Sequence, residues 1–266
     1  MTQREGRVWV GTGGWNYDHW SGLFYPQHLK QQQWLGFYAQ KFNTVEITHT
    51  SLIMVPSVLD QWIAQVGTEF RFSIKVPLKI SQVSGVTDPH GLIQRLAHQL
   101  QPLDGLHGPV LLQIPAALHK DLGMLRNFLD SMPLIQPLVL EFRHPSWYEP
   151  DVIDLLDQAC VGFCIHDIPH AETPRVVTGG MIYMRFHGAA RHEDWSYNRQ
   201  QLRRSADWIR AHSRHARRVY AYFNNDTQAH AVYNAKQFRL QLALNRIPIV
   251  SIPPMRSSGH SATVHQ

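Results

Sequence analysis

Eight short runs of strand-forming residues, each finishing in polar or charged side chains, constrain this chain more than any other feature. They run Arg7–Thr12, Thr44–Thr48, Phe70–Val76, Val110–Ile114, Pro137–Tyr148 (PLVLEFRHPSWY), Val161–Ile165, Met181–His187 and Arg218–Phe223. Between them lie stretches with helical apolar spacing: His28–Phe42, a helix after Pro56, about Gly91–Leu100, Leu118–Met132, Asp151–Ala159, Ser196–Arg218 and Ala229–Leu244. The exception is the link from Pro169 to Gly180, which has no helical pattern. Alternating strands and helices imply a parallel sheet, and eight such units predict a single closed (β/α)8 TIM barrel.

In a barrel, alternate residues of each strand face inward. That rule puts Glu46, Lys75, Gln113, Glu141, Arg143, Arg185, His187, Tyr222 and Asn224 on inward faces, while Leu140, Phe142, Met184 and Phe186 meet the helices. All the polar ones come late in their strands, the end where barrel active sites form. Charges placed in a closed core are costly, so residues of this type gathered there point to a solvent-connected mouth.

The chain has 266 residues, 44% of them hydrophobic and 17% charged, enough for one large core. Residues 1–247 are predicted to form that one domain, with 248–266, rich in Pro, Ser and His, as a tail. No run of 18 apolar residues and no N-terminal apolar h-region is present, and only two cysteines, Cys160 and Cys164, occur. These features predict a soluble protein of the reducing cytoplasm, with no membrane partner.

The segments VGTGGWNYDHW, NTVEIT, FRFSIKVP, LLQIP, LEFRHPSW, YMRFHG and YAYFNND, the last followed by Asn234-Ala235, together resemble the YecE-like family, domain of unknown function 72. The resemblance spans about Val10 to Leu240. It implies a TIM barrel and carries no assigned reaction. The matching positions are Trp15, Tyr17, Glu46, Lys75, Gln113, Glu141, Arg143, His144, Arg185, His187, Asn224 and Asn225. The chain departs from the pattern after strand two (Thr48, then Thr50, Ser51 and Leu52) and after strand three (Ser81 and Gln82).

These residue types suggest acid–base chemistry on a small polar or anionic molecule: a phosphorylated sugar, a sugar acid or something nucleotide-like. Glu141, His187, His144 and Glu46 are the candidate catalytic groups, because imidazoles and carboxylates exchange protons near neutrality when tuned. Lys75, Arg143 and Arg185 would hold the anion. Trp15, Tyr17, Gln113, Asn224 and Asn225 would complete the binding site, by stacking or by hydrogen bonding. Glu141→Gln and Arg143→Ala are expected to abolish ligand binding with little loss of stability. The competing reading of the same charges is a balanced network that only fixes the barrel.

Two further functions are alternatives. Glu46, Glu141, His166, Asp167 and His187 are suitable donors for a divalent metal, as in a metal-dependent hydrolase or isomerase, but the three cations would repel it. No metal ligand set is therefore assigned and any cofactor is unknown. Arg199, Arg203, Arg204, Arg210, Arg214, Arg217 and Arg218 could form a nucleic-acid stripe on a non-catalytic binding protein; a solvated outer face is the simpler reading.

Overall fold

A computed structural model describes residues 7–48, 56–76, 94, 97–130, 137–168, 172–188 and 195–252. Eight parallel strands form one sheet: β1 (Arg7–Thr12), β2 (Thr44–Ile47), β3 (Arg71–Lys75), β4 (His107–Ile114), β5 (Leu138–Phe142), β6 (Gly162–His166), β7 (Met181–Phe186) and β8 (Arg218–Phe223). The order β1-β8-β7-β6-β5-β4-β3-β2 pairs every sequence neighbour except β1 and β2. Those two meet through a single bridge, Gly13 to Glu46, so the sheet is nearly closed into the expected barrel.

The β1–β2 seam is held by substitutes for a ladder. The Tyr38 hydroxyl accepts from the Thr12 amide at 2.9 Å and donates to the Thr44 carbonyl at 3.0 Å. Gly11 makes this approach possible: a Cβ there would sit 2.0 Å from the Thr44 carbonyl oxygen. Tyr38 comes from α1 (Trp34–Ala39), which buries Trp34, Leu35 and Tyr38 on one face.

Further helices are α2 (Pro56–Ile63), α3 (Leu122–Asp130), α4 (Pro150–Gln158), α5 (Arg199–His212) and α6 (His230–Leu244). Several are shorter than their apolar spacing predicts. The stretch expected to be helical from His28 begins as a 3-10 turn at Gln31–Gln33. Helix α5 starts at Arg199 because Asn198 caps it: its side chain accepts from the Gln201 amide, and the Gln201 side chain accepts from the Asn198 amide. It ends at His212, so Arg214 and Arg217 lie in the following turn and Arg218 in β8, which breaks the expected arginine stripe. Of the helix expected at Gly91–Leu100, residue 94 and residues 97–100 are described, and they are helical. The altered positions Thr50, Ser51, Leu52, Ser81 and Gln82 lie outside the described residues.

Side-chain alternation divides the core in two. Outward residues such as Val10, Ile74, Leu140, Phe163 and Phe223 pack under the helices. Inward residues Trp9, Leu111, Val139, Cys164, Met181, Tyr183, Tyr220 and Tyr222 fill the barrel, joined by Val250. The Val250 amide donates to the Val8 carbonyl at 3.0 Å, and its carbonyl accepts from Asn43 at 2.7 Å. The segment expected to open a tail thus first closes the floor of the barrel. With the floor plugged by apolar side chains, the inward polar residues are left at the opposite, C-terminal end.

Candidate functional site at the barrel mouth

Arg185, one residue before the end of β7, is the hub of the mouth. It is 3% exposed. Its Nε and Nη2 donate to Glu46 Oε1 at 3.1 and 2.9 Å, and its Nη1 to both Glu141 oxygens at 3.1 and 2.9 Å. Nη2 also reaches Asn224 Oδ1 at 3.4 Å. Asn224 can lie there because Gly13 opposite it has no Cβ; one would come within 1.9 Å of that oxygen.

Each carboxylate has further donors. Glu46 Oε2 accepts from the Tyr183 hydroxyl at 2.6 Å. Glu141 accepts from Gln113 Nε2 at 2.9 Å and pairs with Arg143 Nη2 at 3.0 Å. Burial would raise the Glu141 pKa, but Arg185 and Arg143 outweigh it and hold the carboxyl down at about 2. Among the described residues Lys75 makes no ion pair. Burial, together with Arg185 and Arg143, lowers its pKa, while Glu141 and Glu46 act the other way. Three cations therefore face two carboxylates.

Two imidazoles line the same rim, with ring centroids 6.3 Å apart. Burial pushes the pKa of His187 well below the ordinary value, and the neighbouring Arg185 adds to this; His166 is lowered by burial too. Asp167 steadies His187 by accepting from its backbone amide at 2.8 Å, and the Tyr197 hydroxyl donates to the other Asp167 oxygen. His166 Nε2 lies 3.2 Å from the Phe142 carbonyl. Three buried polar atoms of this cluster have no hydrogen-bond partner among the described residues: Arg143 Nε, His166 Nδ1 and His187 Nε2. Buried polar groups in folded proteins nearly always have one.

The structure assembles Glu46, Lys75, Gln113, Glu141, Arg143, Arg185, His187 and Asn224 into this mouth, brings in His166, considered above only as a metal donor, and adds Tyr183. Tyr183 could have been read from alternation, since it stands two residues before Arg185 on the same face. Four expectations are corrected. Arg185 is fully engaged by protein acceptors and has no spare fork for an anion. His144 caps the 3-10 turn Pro145–Trp147, its Nδ1 accepting from the Ser146 amide at 3.2 Å, and its ring stacks on His119 at 3.9 Å. Asn225 is spent on the scaffold, its Nδ2 donating to the Trp195 carbonyl and to Asn234 Oδ1. Trp15 is not a stacking platform at the mouth: it is nearly buried, edge-on to Trp62 at 4.8 Å, and lines a cavity on the barrel flank.

Tyr17 stands between that cavity and the mouth. Its hydroxyl donates to the Gly13 carbonyl, and its pKa is raised chiefly by burial, with contributions from Asp226 and Glu46. The helix-free link after β6 leaves another cavity, of about 480 Å³, whose lining includes His166, Asp167, Glu172, Arg175, Arg185 and Arg204. Among the described residues no three His, Cys, Asp or Glu side chains stand close enough to hold a metal ion, and no helix is long and apolar enough to cross a membrane. Cys160 and Cys164 are both unpaired.

The sequence profile of a family described as "Protein of unknown function DUF72" matches residues 9–257. UPF0759 protein YecE of Escherichia coli K12 is 30% identical over 144 residues, 53% of this chain and 50% of that protein. The chain thus spans about half the length of the curated relatives it matches. The crystal structure of a DUF72 family protein (TM1631) from Thermotoga maritima superposes with a TM-score of 0.79 at 26% identity, covering 89% of this chain and 99% of that one. A DUF72 family protein (EF0366) from Enterococcus faecalis shares the fold, with a TM-score of 0.71, 21% identity, and coverage of 94% of this chain and 99% of its own.

Proposed function

The chain belongs to the DUF72 family of proteins of unknown function, and from that premise we propose that its barrel mouth is the active site of an enzyme acting by proton transfer on a small anionic, polar substrate. The observation carrying this reading is the set of buried atoms on Arg143, His166 and His187 that lack partners among the described residues, gathered round Glu141 where those residues leave one surplus cation. A negatively charged ligand would balance the charge and give those atoms partners.

The roles follow from the electrostatics. Lys75 and Arg143 hold the anion, since neither is fully engaged by the protein. Arg185 is a positioning residue that locks Glu46 and Glu141. Glu141, with its pKa near 2, is fully ionised at neutrality and too weak a base to move protons there. His187 is the proton carrier: a neutral imidazole whose Nε2 is uncommitted among the described residues and whose backbone amide is anchored by Asp167. Such a pair of cations and a neutral imidazole suits hydrolysis, elimination or isomerisation of a phosphorylated sugar, a sugar acid or a nucleotide-like compound.

A thermal-shift screen of those three compound classes tests this. A member of one class is expected to stabilise the wild type and to be turned over. Lys75→Met should lose the stabilisation. His187→Gln should keep it while turnover falls about 100-fold or more. If no anionic compound protects the wild type, or if Lys75→Met is protected equally, the reading fails.

A further inference from the structure

The flank cavity beside the mouth has a different chemistry. It encloses about 400 Å³ between the loop after β1 (Trp15, Asn16, Tyr17), α1, the end of β2 and α2. Tyr17 is the one ionisable residue in its lining among the described residues, and a phenol is neutral at physiological pH, the more so here because burial raises its pKa. Hydrogen-bonding capacity comes instead from amides: Asn16, Gln31, Gln32, Gln61 and Gln65. In a chain of net charge +5, a cavity whose described lining holds no Lys, Arg, Asp, Glu or His disfavours charged ligands.

The tryptophans supply a second, independent observation. Six are buried. Four of them donate the indole N–H to a backbone carbonyl: Trp9 to Glu69, Trp20 to Asp226, Trp34 to Leu29 and Trp147 to Leu118. The other two, Trp15 and Trp62, have no acceptor among the described residues, and both line this cavity. A buried indole N–H ordinarily finds a partner. Gln32 and Gln61 likewise make no side-chain hydrogen bond among the described residues, whereas Gln31 and Gln65 are tied to Asn16 and Gly36.

We propose that this cavity is a second ligand site, for an uncharged ring bearing hydrogen-bond acceptors, of monosaccharide to nucleoside size. The two indoles donate to ring or hydroxyl acceptors. The Gln32 and Gln61 amides, each both donor and acceptor, read the edge of the ring. Leu35, Ile47 and Val58 cover its apolar surface. The site stands independently of the charged mouth, which would attract a different class of molecule.

The test is 15N NMR of the indole N–H groups, with Trp15 and Trp62 assigned through Trp15→Phe and Trp62→Phe. Without ligand, these two protons should exchange with water faster than the four bonded indoles. The probes are adenosine, uridine, methyl glucoside and methyl galactoside, with inorganic phosphate as the charged control. At least one neutral probe should shift the Trp15 and Trp62 resonances saturably, with phosphate inert. Response to nucleosides alone identifies a heterocycle site, and response to glycosides alone a sugar site. The surface pair Gln32→Ala and Gln61→Ala together should weaken that binding about tenfold or more. Slow exchange at both indoles, no saturable shift with any of the four probes, or undiminished binding in the Gln variant would each overturn the proposal.

Discussion

Replacing Glu141 by Gln removes the charge but keeps the shape, and the structure gives the cost. The carboxyl is fully buried and its pKa falls from 4.5 to about 2 on folding. That depression corresponds to about 3 kcal/mol of stability. The sign follows from a depressed pKa. The contribution is fully present above 4.5, where the unfolded carboxyl is also ionised, and is lost as pH falls toward 2. Linkage then predicts that the wild type exceeds Glu141→Gln by about 3 kcal/mol at pH 7, with roughly 2 kcal/mol of that advantage gone at pH 3. The loss replaces the expectation, drawn from sequence, that this change would be nearly silent in stability. Urea unfolding followed by circular dichroism at both pH values measures it. A stability gap that is the same at pH 7 and pH 3 would refute the reasoning, because the charge could not then be its source.

Three other outcomes follow from single contacts. Gly11→Ala drives a Cβ to 2.0 Å from the Thr44 carbonyl, so it should destabilise by about 3 kcal/mol in the same urea assay, from overpacking at the seam. Asn234→Ala removes the side chain that joins Ser196, Tyr197 and Asn225, and should lower stability by roughly 3 kcal/mol by calorimetry. Tyr183→Phe deletes one buried donor to Glu46 and should cost about 1–2 kcal/mol by urea unfolding, a milder loss than Glu141→Gln.

Much of this architecture can be read from two-residue periodicity. Glu141 beside Leu140 and Phe142, or Arg185 beside Met184 and Phe186, can satisfy both a helix-covered face and a barrel interior in only one orientation. That is why the mouth could be assembled from sequence. What alternation cannot give is who pairs with whom. Arg143 and Arg185 look equivalent in sequence, yet one sits between two carboxylates and the other keeps a nitrogen unpartnered. His144 follows the strand end and precedes Pro145, so local turn geometry claims its ring as a cap. Asn225 carries the same side chain as Asn224 one residue away, but its amide is taken up by Trp195 and by Asn234 of α6. Apolar spacing overruns helix ends where it continues past a cap; the Asn198-x-x-Gln201 box is the boundary signal for α5.

The ionisation of His187 probes the mouth most directly, followed by NMR of the imidazole as a function of pH, without and with inorganic phosphate. The account predicts a ring that stays neutral well below pH 6.5 in the free protein, held so by burial and Arg185, and whose pKa rises once phosphate occupies Lys75 and Arg143. A ring that titrates at its ordinary value and ignores phosphate would contradict it, for the mouth would then be neither closed to water nor short of an anion.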